Sequence, residues 1–173
     1  AVTPIGNTTD EMWASVKTGR CGIDSITLFD ASDMKVKIAA EVKNLDIDSR
    51  LDKRAAKRMD RFSQFAVIAA REAFVNAGLA NDEIDAERFS VIISSGIGGL
   101  STIEKEHFRA IEKGFDRISP FFIPMNIANL AAGHIAIDLG AKGMCSCVVT
   151  ACAGGTNAIG DAFRHIRDGY AEL

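Results

Sequence analysis

Cys152 is the residue of this sequence whose type and surroundings best suit chemistry. The apolar run 144–150 is typical of a buried strand and residues 156–168 of a helix, so the cysteine lies at the turn between them. Small residues on both sides permit a sharp turn that exposes the sulfur beyond the sheet. A helix N-terminus at this point favours negative charge on the sulfur and could receive an oxyanion. The sequence therefore predicts either a nucleophile or a buried core cysteine at a strand end.

A cysteine nucleophile normally works with a histidine, and none of the three histidines is a convincing partner. His165 lies thirteen residues farther along the same predicted helix, about 20 Å away at about 1.5 Å per residue. His107 lies among charges and His134 in an apolar helix, where we expect a surface histidine and a hydrogen-bonded core histidine. Either Cys152 is inert or its partners lie outside this chain.

Residues 95–99 (Ser-Gly-Ile-Gly-Gly), here called the glycine loop, follow a predicted buried strand at 89–94. Glycine-rich turns after strands can hold phosphate, but neither of the common phosphate-binding patterns is present. Close approach of the backbone to another element or to a substrate tunnel is the favoured interpretation.

Six cations are predicted on one face of a helix that runs from residue 50 to 76 and is interrupted near Asp60. On an acidic protein this face is suited to steering an acidic partner, and the alternative is a solvated helix face. No aromatic residues alternate with the cations for base stacking, which disfavours nucleic acid. The six residues are Arg50, Lys53, Arg54, Lys57, Arg58 and Arg61.

Composition excludes several classes of protein. The 173 residues carry 20 basic and 23 acidic side chains, a net charge of −3 that argues against a dedicated nucleic-acid binder. No apolar run reaches the roughly 18 residues of a membrane span, and the N-terminus lacks the features of a signal peptide. Four cysteines without a CxxC pair predict neither a disulfide scaffold nor a zinc site. We therefore expect a metal-free protein of the reducing cytoplasm.

Strand-like and helix-like segments alternate along the chain, which predicts an α/β fold with parallel strand pairing. A capping box at Thr8 and Glu11 predicts a short helix that ends at Gly19. Further helices are predicted at 101–113, 125–139 and 156–168, and a loop at 44–49. Cys145 and Cys147 are predicted as small core residues on one face of the last strand.

Residues 149–160, around Cys152, resemble the nucleophile segment of the β-ketoacyl-acyl-carrier-protein synthases, most of all the elongating type II synthases. Further motifs occur in family order and extend the resemblance over nearly the whole chain. Each motif is weak alone, and together they are highly specific. They are Pro4-Ile5-Gly6-Asn7-Thr8, Arg58-Met59-Asp60, Ser95-Gly96-Ile97-Gly98-Gly99-Leu100, Ile118-Ser119-Pro120-Phe121-Phe122-Ile123-Pro124 and Asn129-x-x-Ala132-Gly133-His134.

The resemblance implies a thiolase-like α/β fold of two duplicated halves, with a mixed sheet and flanking and buried helices. Residues 1–173 would be the N-terminal half without its first strand. The catalytic histidines and a lysine would belong to a second half that follows. This would explain why no histidine partner for Cys152 is found, and the chain as written is expected to be inactive alone.

The resemblance also implies roles for residues that match the family motifs. Cys152 would accept the acyl chain from carrier protein as a thioester, and its N–H would form part of the oxyanion hole. Ile97 would gate the acyl pocket. Phe122, with Ile123, would line this pocket across a dimer interface. The docking residues for the acidic carrier protein would be Arg54, Lys57, Arg58 and Arg117.

The implied reaction is decarboxylative condensation of an acyl thioester with malonyl-acyl-carrier protein in fatty acid elongation. The product is a 3-ketoacyl-acyl-carrier protein. No metal or organic cofactor is required, because phosphopantetheine arrives on the carrier-protein substrate. The implied partners are acyl carrier protein and a second copy of the chain in a homodimer.

Two departures from the family pattern are visible. The usual Ala-Ser/Thr-Gly after the nucleophile is Ala153-Gly154-Gly155 here, which predicts a slightly loosened elbow. A docking position that is basic in relatives is Asp116, which predicts a weaker carrier site on that side. Three other functions stay open: a polyketide ketosynthase, a cysteine-dependent acyl hydrolase and, if the chain is truly 173 residues long, a non-enzymatic fragment that binds carrier protein.

Overall fold

The first helix begins at the predicted capping box in the computed structural model, which describes residues 1–79 and 84–173. Helix α1 spans Thr9–Lys17, and the hydroxyl of Thr8 accepts a hydrogen bond from Glu11 N at 3.2 Å. Gly19 follows the last turn with a φ of 68°, a conformation that favours glycine. The predicted start and end of this helix are confirmed.

Residues Ala1–Ile47 form one compact unit. Besides α1 it holds a two-stranded antiparallel sheet of β1 (Asp24–Ser25) and β2 (Ile38–Ala39). The carboxylate of Glu41, just after β2, is buried and satisfies backbone N–H groups of the segment that follows β1. This buried carboxylate therefore links the segment after β2 to the segment after β1.

Acidification should release the segment that Glu41 holds. Its carboxylate accepts hydrogen bonds from Thr27 Oγ1 at 2.7 Å, Thr27 N at 3.0 Å and Leu28 N at 3.2 Å. The hydrogen bonds from Thr27 are the main cause that lowers the pKa of Glu41 below 4.5. Because the folded pKa is depressed, the stabilisation is present above the unfolded pKa and is lost as the pH falls through the folded one. An NMR titration of the Thr27 amide should show a midpoint below 4.5 that Glu41→Gln abolishes; a midpoint at or above 4.5 contradicts this.

The second unit, Asp48–Leu173, is built around two parallel strands. Strand β3 (Val91–Ser94) pairs in register with β4 (Cys145–Val148) over four residues. The parallel pairing confirms the predicted α/β class. This two-stranded parallel sheet, with the helices that flank it, is consistent with half of the thiolase-like fold that the resemblance implies.

Helices cover this parallel pair and supply the core. Helices α4 (Arg61–Asn76), α7 (Leu130–Leu139) and α8 (Gly154–Arg167) pack on the strands or on one another. Val67 and Ala131 are almost completely buried where α4 meets α7. The remaining helices are α2 (Ile47–Arg50), α3 (Lys53–Ala56), α5 (Leu100–Lys113) and α6 (Phe122–Asn126), with 3-10 turns at Ala86–Arg88, Phe115–Arg117 and Ala151–Ala153.

Two predicted helices are broken into shorter pieces. The helix predicted over 50–76 is interrupted at Asp60, as expected, and also at Asp52, because each aspartate caps the N-terminus of a new helix. The helix predicted over 125–139 is divided between α6 and α7. The loop predicted at 44–49 is partly wrong, since α2 begins at residue 47.

The two cysteines of β4 are less buried than predicted. Cys145 lies exposed, so its predicted core position is wrong, whereas Cys147 is half-buried. On α8, Ile159 is 73% and Phe163 is 62% exposed. None of the helices in the described part of the chain combines the length and hydrophobicity that crossing a bilayer requires.

Candidate active site

The two parallel strands bring the predicted nucleophile and the glycine loop to the same edge of the sheet. The last residues of β3 and β4 are paired, so the strands end side by side. The chain leaves β3 into the glycine loop and leaves β4 toward the turn Ala151–Ala153. Ile97 and Cys152 therefore both follow the carboxyl edge of the parallel pair, where open α/β sheets place their ligand sites.

Cys152 lies exposed at the tip of a strained turn. It occupies the 3-10 turn Ala151–Ala153 between β4 and α8. Ala151 has a φ of 47°, a left-handed conformation that is uncommon for a residue with a side chain. The strand–turn–helix arrangement is confirmed, and the alternative of a buried core cysteine is wrong. The nucleophilic role of Cys152 stays a prediction.

Helix α8 begins at Gly154, directly after this turn. Among the described residues, no side chain caps its N-terminus with a hydrogen bond. The Gly154 N–H donates to Ala151 O within the 3-10 turn, so what this 14-residue helix offers an anion at Cys152 is the positive end of its dipole. An oxyanion that develops beside the sulfur would be stabilised by this arrangement.

Gly154 fits tightly against the end of β3. It is buried, and a Cβ built on it would overlap the hydroxyl oxygen of Ser94. A Cβ built on Gly155 would meet open space instead. The predicted loosening of the elbow is therefore wrong at Gly154, because its missing side chain is what lets α8 approach the strand.

Gly154→Ser should destabilise the protein and displace the turn that carries Cys152. The new side chain has no room beside Ser94, and such overpacking costs about 1–3 kcal/mol. Ser94→Gly removes the obstacle, so the double variant should regain most of the lost free energy of unfolding, measured in urea. Gly155→Ser is the matched control and should change stability by less than about 0.5 kcal/mol. Equal losses at 154 and 155, or no rescue, would show that the overlap is not the cause.

The glycine loop packs its backbone against the end of α6. Gly99 N donates a hydrogen bond to Asn126 O at 3.0 Å, and Gly98 has a φ of 80°. A Cβ on either glycine would overlap the backbone of residues 125–128. The predicted close approach to another element is confirmed, and Ile97 is left 64% exposed beside it.

Helix α6 carries the two predicted pocket-lining residues. Phe122 is half-buried, and Ile123 is 54% exposed. Glu106 of α5 fixes the segment before this helix, since its buried carboxylate accepts a hydrogen bond from Ser119 N at 2.7 Å. The backbone hydrogen bond described above then joins α6 to the glycine loop. The role of both residues in acyl binding stays a prediction.

The six cations do not share one helical face. Asp52 accepts hydrogen bonds from two N–H groups in the first turn of α3. Asp60 accepts one from an N–H group in the first turn of α4, so residues 53–76 form two separate helices. Lys53 pairs with Asp48 at 3.4 Å, and Arg61 stacks on Phe65 of its own helix. The prediction of a single stripe is wrong.

The four residues predicted to dock the carrier protein, which are three of these six cations and Arg117, are all exposed. Arg58 places its guanidinium carbon 4.8 Å from the ring centre of Phe121, just before α6. Arg117 lies in the 3-10 turn that leads into the same segment. Within residues 1–79 and 84–173, no carboxylate pairs with any of the four, which are Arg54, Lys57, Arg58 and Arg117.

Asp60 is an important residue of this site that sequence reasoning missed. Its buried carboxylate accepts hydrogen bonds from Thr102 Oγ1 at 2.6 Å, Thr102 N at 2.9 Å and Phe62 N at 3.3 Å. It thereby fixes the start of α4 to the first turn of α5, just after the glycine loop. An aspartate before a helical pattern predicts a cap, but no signal points to a partner 42 residues away.

None of the histidines hydrogen-bonds to Cys152 in the part of the chain that the structure describes. His107 is exposed, and His165 stacks on Tyr170 with ring centres 5.3 Å apart. His134 has a buried Nε2 without a hydrogen-bond partner among the described residues, and burial lowers its pKa. The expectation of a hydrogen-bonded core histidine at this position is wrong for Nε2.

Two clefts in the described residues contain none of the predicted site residues, and one of them, of about 550 Å³, is lined by Asn7, Arg20 and Lys43 among others. In residues 1–79 and 84–173, no group of three or more histidine, cysteine, aspartate or glutamate side chains is placed to hold a metal ion. A groove of about 330 Å³ beside α4 is lined by Ile68, Arg71 and Val75 among others and includes none of the predicted site residues.

Comparison with known proteins decides the family. The family described as "Beta-ketoacyl synthase, N-terminal domain" matches residues 1–173. This chain belongs to the β-ketoacyl synthase family. The resemblance drawn from the motifs around Cys152 and the glycine loop is thereby confirmed.

Curated relatives within the β-ketoacyl synthase family share about half of the residues. The chain is 51% identical over 172 residues to 3-oxoacyl-[acyl-carrier-protein] synthase 2 of Synechocystis sp.. The matched region is 99% of this chain and 41% of that protein. It is 48% identical to the synthase of the same description from Staphylococcus aureus, of which it covers 43%. The chain therefore spans about two fifths of the length of the relatives that it matches.

Solved structures agree with the thiolase-like fold of β-ketoacyl synthases. The ishigamide ketosynthase/chain length factor superimposes with a TM-score of 0.89 at 28% identity, over 98% of this chain and 43% of that one. A type II polyketide ketosynthase in complex with its acyl-carrier protein gives a TM-score of 0.74 at 19% identity. At that identity the second comparison supports the fold alone.

Proposed function

We propose that the whole protein is a 3-oxoacyl-acyl-carrier-protein synthase, an acyltransferase that elongates fatty acids by decarboxylative condensation. The observation that carries this proposal is Cys152, exposed on a strained turn at the N-terminus of α8 and beside the glycine loop. The relatives described as 3-oxoacyl-acyl-carrier-protein synthase 2 support it, since they are 48–51% identical over 99% of this chain.

The proposed reaction has an acylation half and a condensation half. First, the Cys152 thiolate attacks the acyl thioester, and the phosphopantetheine sulfur of the carrier protein leaves and takes a proton from solvent to become a thiol. Then malonyl-carrier protein loses CO₂, and the electron pair of the broken bond forms a carbanion. This carbanion attacks the acyl–Cys152 carbonyl, so that the product leaves as a 3-ketoacyl-carrier protein and the Cys152 thiolate is regenerated. The positive end of the α8 dipole, directly after Cys152, would stabilise both tetrahedral oxyanions.

The substrate would reach Cys152 along the surface formed by the glycine loop and α6. Ile97 would gate the acyl chain, while Phe122 and Ile123 would line its pocket. Their partly exposed apolar side chains, joined through the backbone contact between the loop and α6, support this proposal. No further cofactor is proposed, because the phosphopantetheine arm belongs to the substrate.

Acyl carrier protein is the proposed partner, and its acidic surface would dock on Arg54, Lys57, Arg58 and Arg117. Their exposed guanidinium and ammonium groups, without ion pairs in the described residues, support this docking. A relative in fold is described as a ketosynthase in complex with an acyl-carrier protein. We further propose a homodimer and a cytoplasmic location for the whole protein.

A polyketide ketosynthase is the second candidate, because the ishigamide ketosynthase/chain length factor superimposes at a TM-score of 0.89. Its 28% identity is well below the 51% shared with the fatty acid synthase of Synechocystis sp.. The fatty acid enzyme is therefore favoured. A hydrolase that uses the same cysteine would pass its acyl group to water, and the experiment below separates it from the synthase.

The decisive experiment incubates the whole protein with acyl-carrier protein and follows its intact mass. An acyl adduct should form and map by peptide fragmentation to Cys152. Addition of malonyl-carrier protein should discharge the adduct and give a 3-ketoacyl-carrier protein of the corresponding mass. Discharge to a free fatty acid without malonyl-carrier protein would indicate a hydrolase. A protein that takes up no acyl group overturns the proposal.

A further inference from the structure

Arg58 differs from the other proposed docking cations because it contacts an aromatic ring. It follows α3, and its guanidinium carbon lies 4.8 Å from the ring centre of Phe121, within the range of a cation–π contact. Arg54 and Lys57 are exposed and have no such ring contact in the described residues. The planar guanidinium suits stacking on a ring better than an ammonium does.

Phe121 is the residue from which α6 begins. It caps α6, and its backbone N–H donates to the Ser119 hydroxyl at 3.1 Å. Glu106 accepts from the backbone N–H of Ser119 on the other side, so the Phe121 segment is held between α5 and Arg58. The ring of Phe121 therefore contacts Arg58, while its backbone begins the helix that carries Phe122.

The same helix ends against the glycine loop. Asn126 O, in the last residue of α6, accepts the hydrogen bond from Gly99 N. Gly98 and Gly99 lie close to this backbone, because a Cβ on either would overlap it. A continuous set of contacts therefore runs from Arg58 through Phe121 and α6 to the loop that carries Ile97.

We propose that Arg58 is a positioning residue for the acyl-binding surface, in addition to its charge on the docking face. By holding Phe121 it sets the place of α6 and hence of Phe122 and the glycine loop. This inference rests on the function proposed above. It requires that Arg58 affect the rate of Cys152 acylation by donors that have no carrier protein. A residue that only docks the carrier protein cannot affect that rate.

The test compares rates of Cys152 acylation in the whole protein from two donors, a long-chain acyl-carrier protein and the corresponding acyl-pantetheine. Arg54→Ala, the matched control, should slow only the reaction with acyl-carrier protein. Arg58→Ala should slow both, by about two- to fivefold with acyl-pantetheine, as expected for loss of an exposed cation–π contact. Acetyl-pantetheine, which is too short to use the pocket, should be affected least.

Two further variants separate positioning from folding. Arg58→Lys keeps the charge and should retain normal folding, but it should still slow acylation by long-chain acyl-pantetheine because the ammonium stacks less well. Phe121→Leu should reproduce the Arg58→Ala defect, and the double variant should be no slower than Phe121→Leu alone. Additive losses in the double variant would overturn the inference.

Failure of this inference is distinguishable from failure of the proposed function. If Arg58→Ala slows only the reaction with carrier protein, as Arg54→Ala does, Arg58 is a docking residue alone and the condensing function stands. If the unaltered protein takes up an acyl group from neither donor, the proposed function is overturned and this inference with it.

Discussion

Cys152→Ala should abolish uptake of the acyl group and lower the condensation rate by more than about a thousandfold, as removal of a covalent nucleophile does. The thioester intermediate needs a sulfur at the tip of the turn, and no neighbouring side chain can replace it, because Ala151 and Ala153 carry only methyl groups. The measurement is the intact mass of the whole protein after incubation with acyl-carrier protein.

The fold should tolerate this substitution. Cys152 is exposed, so its removal leaves no cavity, and the free energy of unfolding should change by less than about 0.5 kcal/mol. Cys145→Ala is the matched control, because Cys145 is also exposed and lies on the strand that leads to the turn, but has no helix N-terminus behind it. Acyl uptake that survives in Cys152→Ala and disappears in Cys145→Ala would show that the nucleophile is Cys145 on β4.

Asp60→Ala should lower the free energy of unfolding by about 3 kcal/mol, because it leaves the buried N–H and hydroxyl of Thr102 without their acceptor. It also removes the N-terminal cap of α4. The glycine loop ends three positions before Thr102, so the rate of Cys152 acylation should fall together with stability. Urea denaturation followed by circular dichroism measures the first effect.

Asp52→Ala provides the comparison for this variant. Asp52 also caps a helix, with hydrogen bonds from Arg54 N and Ala55 N at 2.9 Å, but it is exposed and has no long-range partner in the described residues. Its loss should cost about 1 kcal/mol, the usual value for a helix cap. Equal effects at the two positions would show that Asp60 acts as a cap and not as a link between α4 and α5.

Much of the local structure could be predicted because it depends on neighbours in the chain. The capping box of α1, the glycines that end helices and the strand–turn–helix at Cys152 are all set by residues within a few positions of one another. The cysteine turn could be located for the same reason. The exposure of Cys152 could not be predicted, since a small residue at a strand end is equally compatible with burial.

The helix breaks at Asp52 and at 127–129 show the limit of periodicity. The cation spacing at 50–61 fits one helix. A capping aspartate, however, satisfies the backbone N–H groups equally well and allows the chain to change direction. Local propensity leaves such a choice nearly balanced. The packing of α4 on α7, and of α6 on the glycine loop, then decides it.

The sequence by itself determined the α/β class, the position of the reactive turn and the family whose motifs surround it. Only the tertiary structure decided that Asp60 holds Thr102, that Gly154 must be small because of Ser94, and that Arg58 lies on Phe121. These pairs are separated by 42 to 63 positions in the sequence. Contacts across such distances form only when the strands and helices have packed, because their free energy depends on fit and burial rather than on local spacing.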